Sequence, residues 1–177
     1  MNIQKSELRK KCKKIRDGLE TDLLSEIIID NLFSLSQFKK TLNVFSYVSF
    51  GKEVSTERIL ALTDKNIFVP KIKNDNLIMC EYYGDNLVKN KFGILEPEFE
   101  HIAVPQKNDI IIIPALTADE NFHRLGYGGG YYDKYLQNTI GVKIVLLYET
   151  LLVSSIPVEK HDVEFDILVT EKNVYIK

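Results

Sequence analysis

Residues Asp109 to Leu136 read DIIIIPALTADENFHRLGYGGGYYDKYL, and the rest of the chain is organised around this stretch. Ile110 to Ile113 is an unbroken β-branched run, the pattern of a strand buried on both faces. Pro114 has no N–H to donate and ends the ladder. A polar loop is expected next, then Gly126, Gly128, Gly129 and Gly130, then Tyr131 to Leu136, which can continue as a helix. A buried strand, a glycine-rich turn and a helix start bring free backbone N–H groups together where the helix dipole is positive, which suits an anion. Arg124 adds a fixed positive charge just before the glycines, and Asp133 just after them is placed to hold a metal ion beside bound phosphates. The element reads as a triphosphate-binding turn. Glycine runs are also plain turns, and this one is not a Walker A loop, because no Gly-Lys-Ser/Thr follows. Nor is it a dinucleotide fingerprint, whose third glycine would fall on Tyr131.

The bulk numbers fit one globular domain spanning residues 1–177, with 45% hydrophobic and 27% charged residues. A formal net charge of −2 offers no basic field to nucleic acid, so anion binding has to be local. The apolar runs are too short to cross a bilayer, and MNIQKSELRKKCKKIR lacks a hydrophobic signal core. Cys12 and Cys80 have no pairing pattern, which points to reduced thiols and a cytoplasmic protein. Neither membrane nor nucleic-acid partners are expected, and a monomer is favoured. The three histidines and two cysteines show no zinc-type spacing, and no nucleophile signature is present.

Along the chain, the spacing predicts a helix over Asn2 to Leu19, with Leu8, Cys12, Ile15 and Leu19 on its apolar face. At roughly 100° per residue, Lys5, Arg9 and Arg16 fall within about 40° of one another along one border of that face. A second helix capped by Thr21 runs through Leu24, Ile27, Ile28, Leu32 and Leu35 and covers a sheet. Val44 to Phe50 reads as a strand, followed by Glu53, a helix capped by Ser55 or Thr56, and a short strand Ile67 to Val69 stopped by Pro70. That order implies a right-handed crossover and parallel strands, with ligands gathering beyond the strands' carboxyl ends, where Glu53 lies. Leu77 to Tyr83 reads as an antiparallel or edge strand, Val142 to Tyr148 as a buried one, and Ile167 to Val169 and Val174 to Ile176 as short terminal strands. The fold class expected is α/β: three layers, α/β/α, around a mostly parallel Rossmann-like sheet with short antiparallel edge strands.

Taken whole, Arg124-Leu125-Gly126-Tyr127-Gly128-Gly129-Gly130-Tyr131-Tyr132-Asp133 closely resembles the signature of the 5-formyltetrahydrofolate cyclo-ligase family. Lys5-Ser6-Glu7-Leu8-Arg9 matches the family's N-terminal Lys-x-x-Leu-Arg, and Glu53-Val54-Ser55-Thr56 its Glu-x-x-Thr. Phe92-Gly93-Ile94-Leu95-Glu96-Pro97 is similar to its Phe-Gly-Ile-x-Glu-Pro loop, which the resemblance would fold over the site. The resemblance implies ATP contacts from Lys5, Ser6, Glu7, Leu8 and Arg9 and from Arg124, Leu125, Gly126, Tyr127, Gly128, Gly129, Gly130, Tyr131 and Tyr132. It implies folate contacts from Val48, Glu53, Tyr127, Gly128, Gly129, Gly130 and Tyr131. Asp162, with His161 and Asp166 beside it, would join Asp133 in holding Mg²⁺. A carboxylate such as Glu53 can accept two parallel N–H bonds from the aminopyrimidine edge of a pterin.

The activity so implied is ATP-dependent closure of 5-formyltetrahydrofolate to 5,10-methenyltetrahydrofolate, with Arg124 and Asp133 as catalytic residues and ATP and Mg²⁺ required. The chain departs from the family at Ala115, Ala118 and Phe122, where the family carries glycine, an aromatic residue and glycine, changes expected to reshape the pocket wall. Two readings of other classes stay open: a non-catalytic nucleotide- or folate-binding module, and a sugar-phosphate isomerase or acyl-CoA transferase relative sharing the layered fold.

Overall fold

A computed structural model describes residues 3–84, 86–90 and 93–177. Helices α1 (Ile3–Asp17), α2 (Thr21–Ser34) and α3 (Ser36–Lys40) precede strand β1 (Asn43–Phe45). Helix α4 (Glu57–Leu60) leads to β2 (Asn66–Lys73), β3 (Asn76–Glu81), β4 (Leu87–Lys89), β5 (Leu95–Pro97) and β6 (Ile102–Ala103). Then come β7 (Ile110–Ile113), β8 (Thr117–Asp119), β9 (Arg124–Leu125), α5 (Tyr131–Leu136), β10 (Val142–Leu146), β11 (Leu152–Val153), β12 (Ile167–Val169) and β13 (Val174–Ile176).

The central sheet runs β13-β12-β10-β7-β1-β2-β3-β6. Its middle five strands, β12, β10, β7, β1 and β2, are parallel, and the antiparallel pairings lie at the two ends. From β1 the chain steps one way to β2, then returns to the other side of β1 and proceeds through β7, β10 and β12. Right-handed crossovers in opposite directions put their helices on opposite faces, which generates the three layers. All four isoleucines of β7 are fully buried, as the β-branched run implies for a strand covered on both sides. Ile28, Ile29 and Leu32 of α2, Ile59 of α4 and Leu136 of α5 join the core.

Several local expectations are corrected. The strand predicted for Val44 to Phe50 stops at Phe45, because side chains capture the backbone beyond it. Thr56 Oγ1 donates to the Tyr47 carbonyl (2.8 Å) and accepts from the Ser49 N–H (3.1 Å), while Tyr47 Oη donates to the Val54 carbonyl (2.8 Å). Strand β2 runs through Pro70 to Lys73. The Ser46 N–H donates to the Phe68 carbonyl, so alternate residues of β2 face β1, and Pro70 comes where β1 has already left the sheet. A proline there forfeits no ladder bond. Thr21 is the first residue of α2 rather than its cap, and no side chain caps that end. Ile27, expected on the buried face of α2, is exposed, and Ile29 is buried in its place. Asn2 and Phe92 lie outside the described residues. The rest of the Phe-Gly-Ile loop pairs β5 with β4 and lies along β2, where Lys71 Nζ donates to the Pro97 carbonyl (2.9 Å).

The polar loop expected after Pro114 is instead a buried hairpin, β8 and β9, which with β11 forms a separate three-stranded sheet. Asp119 organises it. Oδ1 accepts the N–H groups of Asn121 (3.0 Å) and His123 (3.0 Å), and Oδ2 accepts that of Ile156 (2.8 Å). Phe122 has a φ of +63°. Its ring packs edge-on against Phe165 (5.3 Å), and its carbonyl accepts the Phe165 N–H (3.1 Å), contacts that offset the left-handed strain. Ala118 is fully buried and paired with Arg124, and Ala115 packs on the core. Replacing Asp119 with alanine leaves three N–H donors without their acceptor and is expected to cost about 3 kcal/mol. Urea unfolding checks this: the midpoint should fall with an unchanged slope.

Candidate active site

Neighbours in a parallel sheet whose connections leave in opposite directions leave a crevice at their carboxyl ends. Here those strands are β1 and β7, so the segment after β1, which carries Glu53, faces the segment after β7, which carries the glycine turn.

The turn itself depends on glycine at two points. Gly128 has φ +105° and Gly130 φ +70°, and Gly130 is the residue from which α5 starts. A Cβ on Gly128 would stand 3.5 Å from the Arg9 guanidinium carbon, so that side chain lies flat against the turn. Arg9 Nε also donates to the Gly126 carbonyl at 2.8 Å. Arg9 thus lies directly against the glycine turn.

Arg124 is brought in by β9 with its side chain only 2% exposed. Nη2 donates to Asp133 Oδ1 at 2.9 Å, one turn into α5, while Nε is buried with no partner. Burial pulls this guanidinium below its ordinary pKa, and Asp133 opposes that. The Tyr132 hydroxyl is likewise buried and unpartnered, and burial first, then Glu53, pushes it well up. Two orphaned donors beside the glycine turn are what an anionic ligand would satisfy.

Lys5 reaches the site from the first turn of α1 and bridges two acids, Asp162 Oδ2 at 2.6 Å and Glu159 Oε2 at 3.1 Å. The Glu159 N–H also donates to Asp162 Oδ2 (2.7 Å), closing the turn that presents them. Glu159, His161 and Asp162 have ligand atoms within 4.8 Å of one another, the compact group of metal-type side chains among the described residues. Asp133 is not part of it. Asp166 turns away and accepts the Lys143 N–H, and Glu164 lies near His123 and Lys177. Of the other predicted residues near Lys5, Leu8 packs on the core, Glu7 is exposed and Ser6 is half-buried.

Glu53 Oε2 accepts the Phe50 N–H (2.9 Å), and burial first, then the Glu53 charge, holds the Tyr127 hydroxyl above its ordinary pKa. Val48 is half-buried beneath, Leu125 is buried, and Tyr127 and Tyr131 are exposed at the rim. Glu159 and Arg16, which donates to Tyr127, had no assigned role from sequence. Arg16 shares the basic stripe of Lys5 and Arg9, and that stripe was its one signal. A separate cavity of about 640 Å³ between α4 and the end of β3, lined by Leu60, Leu62, Ile67 and Tyr82, contains none of these charged groups, and the crevice is the better candidate.

Comparison with known proteins identifies the family. The model of the 5-formyltetrahydrofolate cyclo-ligase family matches residues 2–171. The chain belongs to that family. It is 31% identical to the 5-formyltetrahydrofolate cyclo-ligase of Haemophilus influenzae, over 96% of this chain and 100% of that protein. To the Escherichia coli K12 cyclo-ligase it is 29% identical over 73% of this chain and 78% of that protein. The NMR structure of 5,10-methenyltetrahydrofolate synthetase from Aquifex aeolicus superposes with a TM-score of 0.88 at 35% identity, covering 97% of this chain and 92% of that one. The synthetase of that name from Mycoplasma pneumoniae shares the fold, with a TM-score of 0.76 at 22% identity, over 94% of this chain and 98% of that one.

Both acids expected to hold metal, Asp133 and Asp162, are thus paired with cations expected to hold phosphate, Arg124 and Lys5. Burial would raise Asp162, but hydrogen bonds from Lys5 and the Glu159 N–H outweigh it and hold the carboxyl below its usual value. Burial would lower Lys5, but Asp162 and Glu159 outweigh it and hold the ammonium above its usual value. The lowered acid stabilises the fold above the unfolded carboxyl pKa, and that contribution disappears as pH falls through the folded one. The raised lysine contributes below its unfolded pKa, and that part disappears as pH rises through the folded value. The pair is therefore complete between roughly pH 5 and pH 10. Asp162→Asn should destabilise by a constant amount across roughly pH 5–9, with the gap to wild type closing below about pH 4. Urea unfolding at each pH measures it, and a gap that persists in acid would show that the pair is not ionic.

Proposed function

We propose that this chain closes 5-formyltetrahydrofolate to 5,10-methenyltetrahydrofolate with consumption of ATP. The observation that carries the reading is the buried Arg124, paired with Asp133 and left with an unused Nε, beside a glycine turn clasped by Arg9 and facing Glu53.

The formyl oxygen on N5 cannot depart as hydroxide. Transfer of the γ-phosphoryl group to it forms a P–O bond and breaks the bridge to the β-phosphate, releasing ADP. N10 then donates its lone pair to the activated carbon and loses its proton, and the oxygen leaves as inorganic phosphate. The protein's share is positioning and charge neutralisation. Arg9, the turn amides and Arg124 hold the triphosphate. Glu53 accepts N–H bonds from the pterin and sets the formyl oxygen facing the γ-phosphorus, with Val48 and Tyr131 against the folate. Lys5, held between two carboxylates, is a buried cation that phosphate oxygens would compete for.

Asp133 and Asp162 offer the hard oxygen donors that suit Mg²⁺, which when bound neutralises charge on the phosphate oxygens. Both are engaged by cations, so loading the site requires Lys5 and Arg124 to exchange their carboxylate partners for phosphate oxygens. The two cysteines are buried and unpaired, which suits the reducing cytoplasm we propose for the protein. No helix among the described residues is long and apolar enough to cross a membrane. We propose that the 177 residues form one domain that acts as a monomer.

The test follows methenyltetrahydrofolate by its absorbance, with 5-formyltetrahydrofolate and with or without ATP. Product should form only with ATP, and none under either condition would leave the binding-module reading. Arg124→Ala should lower kcat by about 100-fold or more, as expected for a donor to developing charge. Asp133→Ala should lower it in the same direction. Glu53→Ala should chiefly raise KM for the folate, by roughly tenfold or more.

A further inference from the structure

Ser25 of α2 and Tyr148, which follows β10, are buried hydroxyl-bearing side chains to which the reaction above gives no task. Their hydroxyls lie 3.1 Å apart, and both reach the loop that carries Glu53. Tyr148 Oη donates to the Glu53 carbonyl at 3.1 Å, and the Ser55 N–H donates to Ser25 Oγ at 3.1 Å. Strand β10 stands two places from β1 in the sheet, so the tyrosine reaches past β7 to meet the segment beyond β1.

The chemistry of these contacts has one direction. A carbonyl only accepts and an N–H only donates. Tyr148 has one proton and gives it to Glu53, so Ser25 must donate to Tyr148 while accepting from Ser55. The relay leaves the loop at the Ser55 N–H and returns to it at the Glu53 carbonyl. Between those two points the Val54 carbonyl accepts from Tyr47 Oη (2.8 Å), and the Val54 side chain is buried in the core. Three successive residues thus each have a backbone group held by the side chain of Tyr148, Tyr47 or Ser25. With Val54 turned into the core, Glu53 stays half-buried, and its Oε2 takes the Phe50 N–H (2.9 Å). Burial pushes the Tyr148 hydroxyl above its ordinary pKa, so it remains a protonated donor at neutral pH.

We propose that Tyr148, backed by Ser25, is a positioning residue for folate recognition: it fixes the backbone at Glu53 so that the carboxylate is presented to the pterin. The proposal rests on Glu53 being the pterin-binding group. Tyr148 and Ser25 touch neither substrate in this scheme, and neither bonds to the glycine turn or to Lys5, Arg9 or Arg124. Their loss should therefore act on folate and spare ATP.

The experiment measures KM separately for 5-formyltetrahydrofolate and ATP in Tyr148→Phe, which removes one oxygen and keeps the ring. The folate KM should rise roughly tenfold and the ATP KM should stay within about twofold. Ser25→Ala should act in the same direction but more weakly, since Tyr148 keeps its bond to Glu53, and it keeps the test open should Tyr148→Phe be unstable. In a Glu53→Ala background, Tyr148→Phe should raise the folate KM no further, because no carboxylate is left to position. Asn43→Ala breaks the bond to Asp109 Oδ1 (2.9 Å) at the opposite, amino ends of β1 and β7, and serves as the control for lost stability. It should lower the urea midpoint and leave both KM values alone. A folate KM unchanged in Tyr148→Phe, an ATP KM that rises in parallel, or effects of Tyr148→Phe and Glu53→Ala that multiply would each overturn the proposal. Calorimetric binding of 5-formyltetrahydrofolate without nucleotide separates the two levels. Folate affinity lost in Glu53→Ala but kept in Tyr148→Phe sinks the positioning role alone, whereas affinity kept in Glu53→Ala sinks the assignment beneath it.

Discussion

The site exists because the strand order reverses at β1. Its two neighbours, β2 and β7, receive the chain from opposite directions, and right-handed crossovers carry the connecting segments to opposite faces. The backbone cannot fill the crevice that this leaves at the carboxyl ends of β1 and β7. The glycine turn and the Glu53 loop project into it from its two sides, and α1 closes it with Lys5, Arg9 and Arg16. No two of these segments are neighbours in the chain. Their meeting depends on a sheet held rigid by four fully buried isoleucines at its centre.

Charge is balanced within the crevice before any ligand arrives. Lys5 is matched by Asp162 and Glu159, and Arg124 by Asp133. Unpaired charges this deeply buried would be costly, so the pairs are a condition for keeping cations under cover at all. The buried Nε groups of Arg124 and Arg16 and the Tyr132 hydroxyl are donors this balance does not satisfy. They mark where a ligand has something to gain.

Pattern sufficed wherever a segment's own chemistry is decisive. Ile110 to Ile113 could be nothing but an interior strand, and Gly126 to Gly130 supplies left-handed backbone that few other residues adopt. Pattern failed where neighbours decide. Pro70 does not stop β2, because β1 has gone by then and no partner misses the N–H. Thr117 to Leu125 looks polar, yet Asp119 gathers three N–H groups and makes it a buried hairpin. Phe122 occupies a position suited to glycine because Phe165, more than forty residues later, provides a surface for its ring.

The amino-acid order alone determined the layered α/β class, the phosphate-suited turn and the resemblance carried by Arg124 to Asp133, since all three rest on spacings of a few residues and on local backbone preference. Tertiary structure decided the company those residues keep. Lys5 lies with Asp162, Arg9 lies against the glycine turn, and Arg16 meets Tyr127. Such partnerships span more than a hundred residues for Lys5, Arg9 and Arg16. Side-chain periodicity records which face of a helix is polar, but only the packed sheet determines what that face meets.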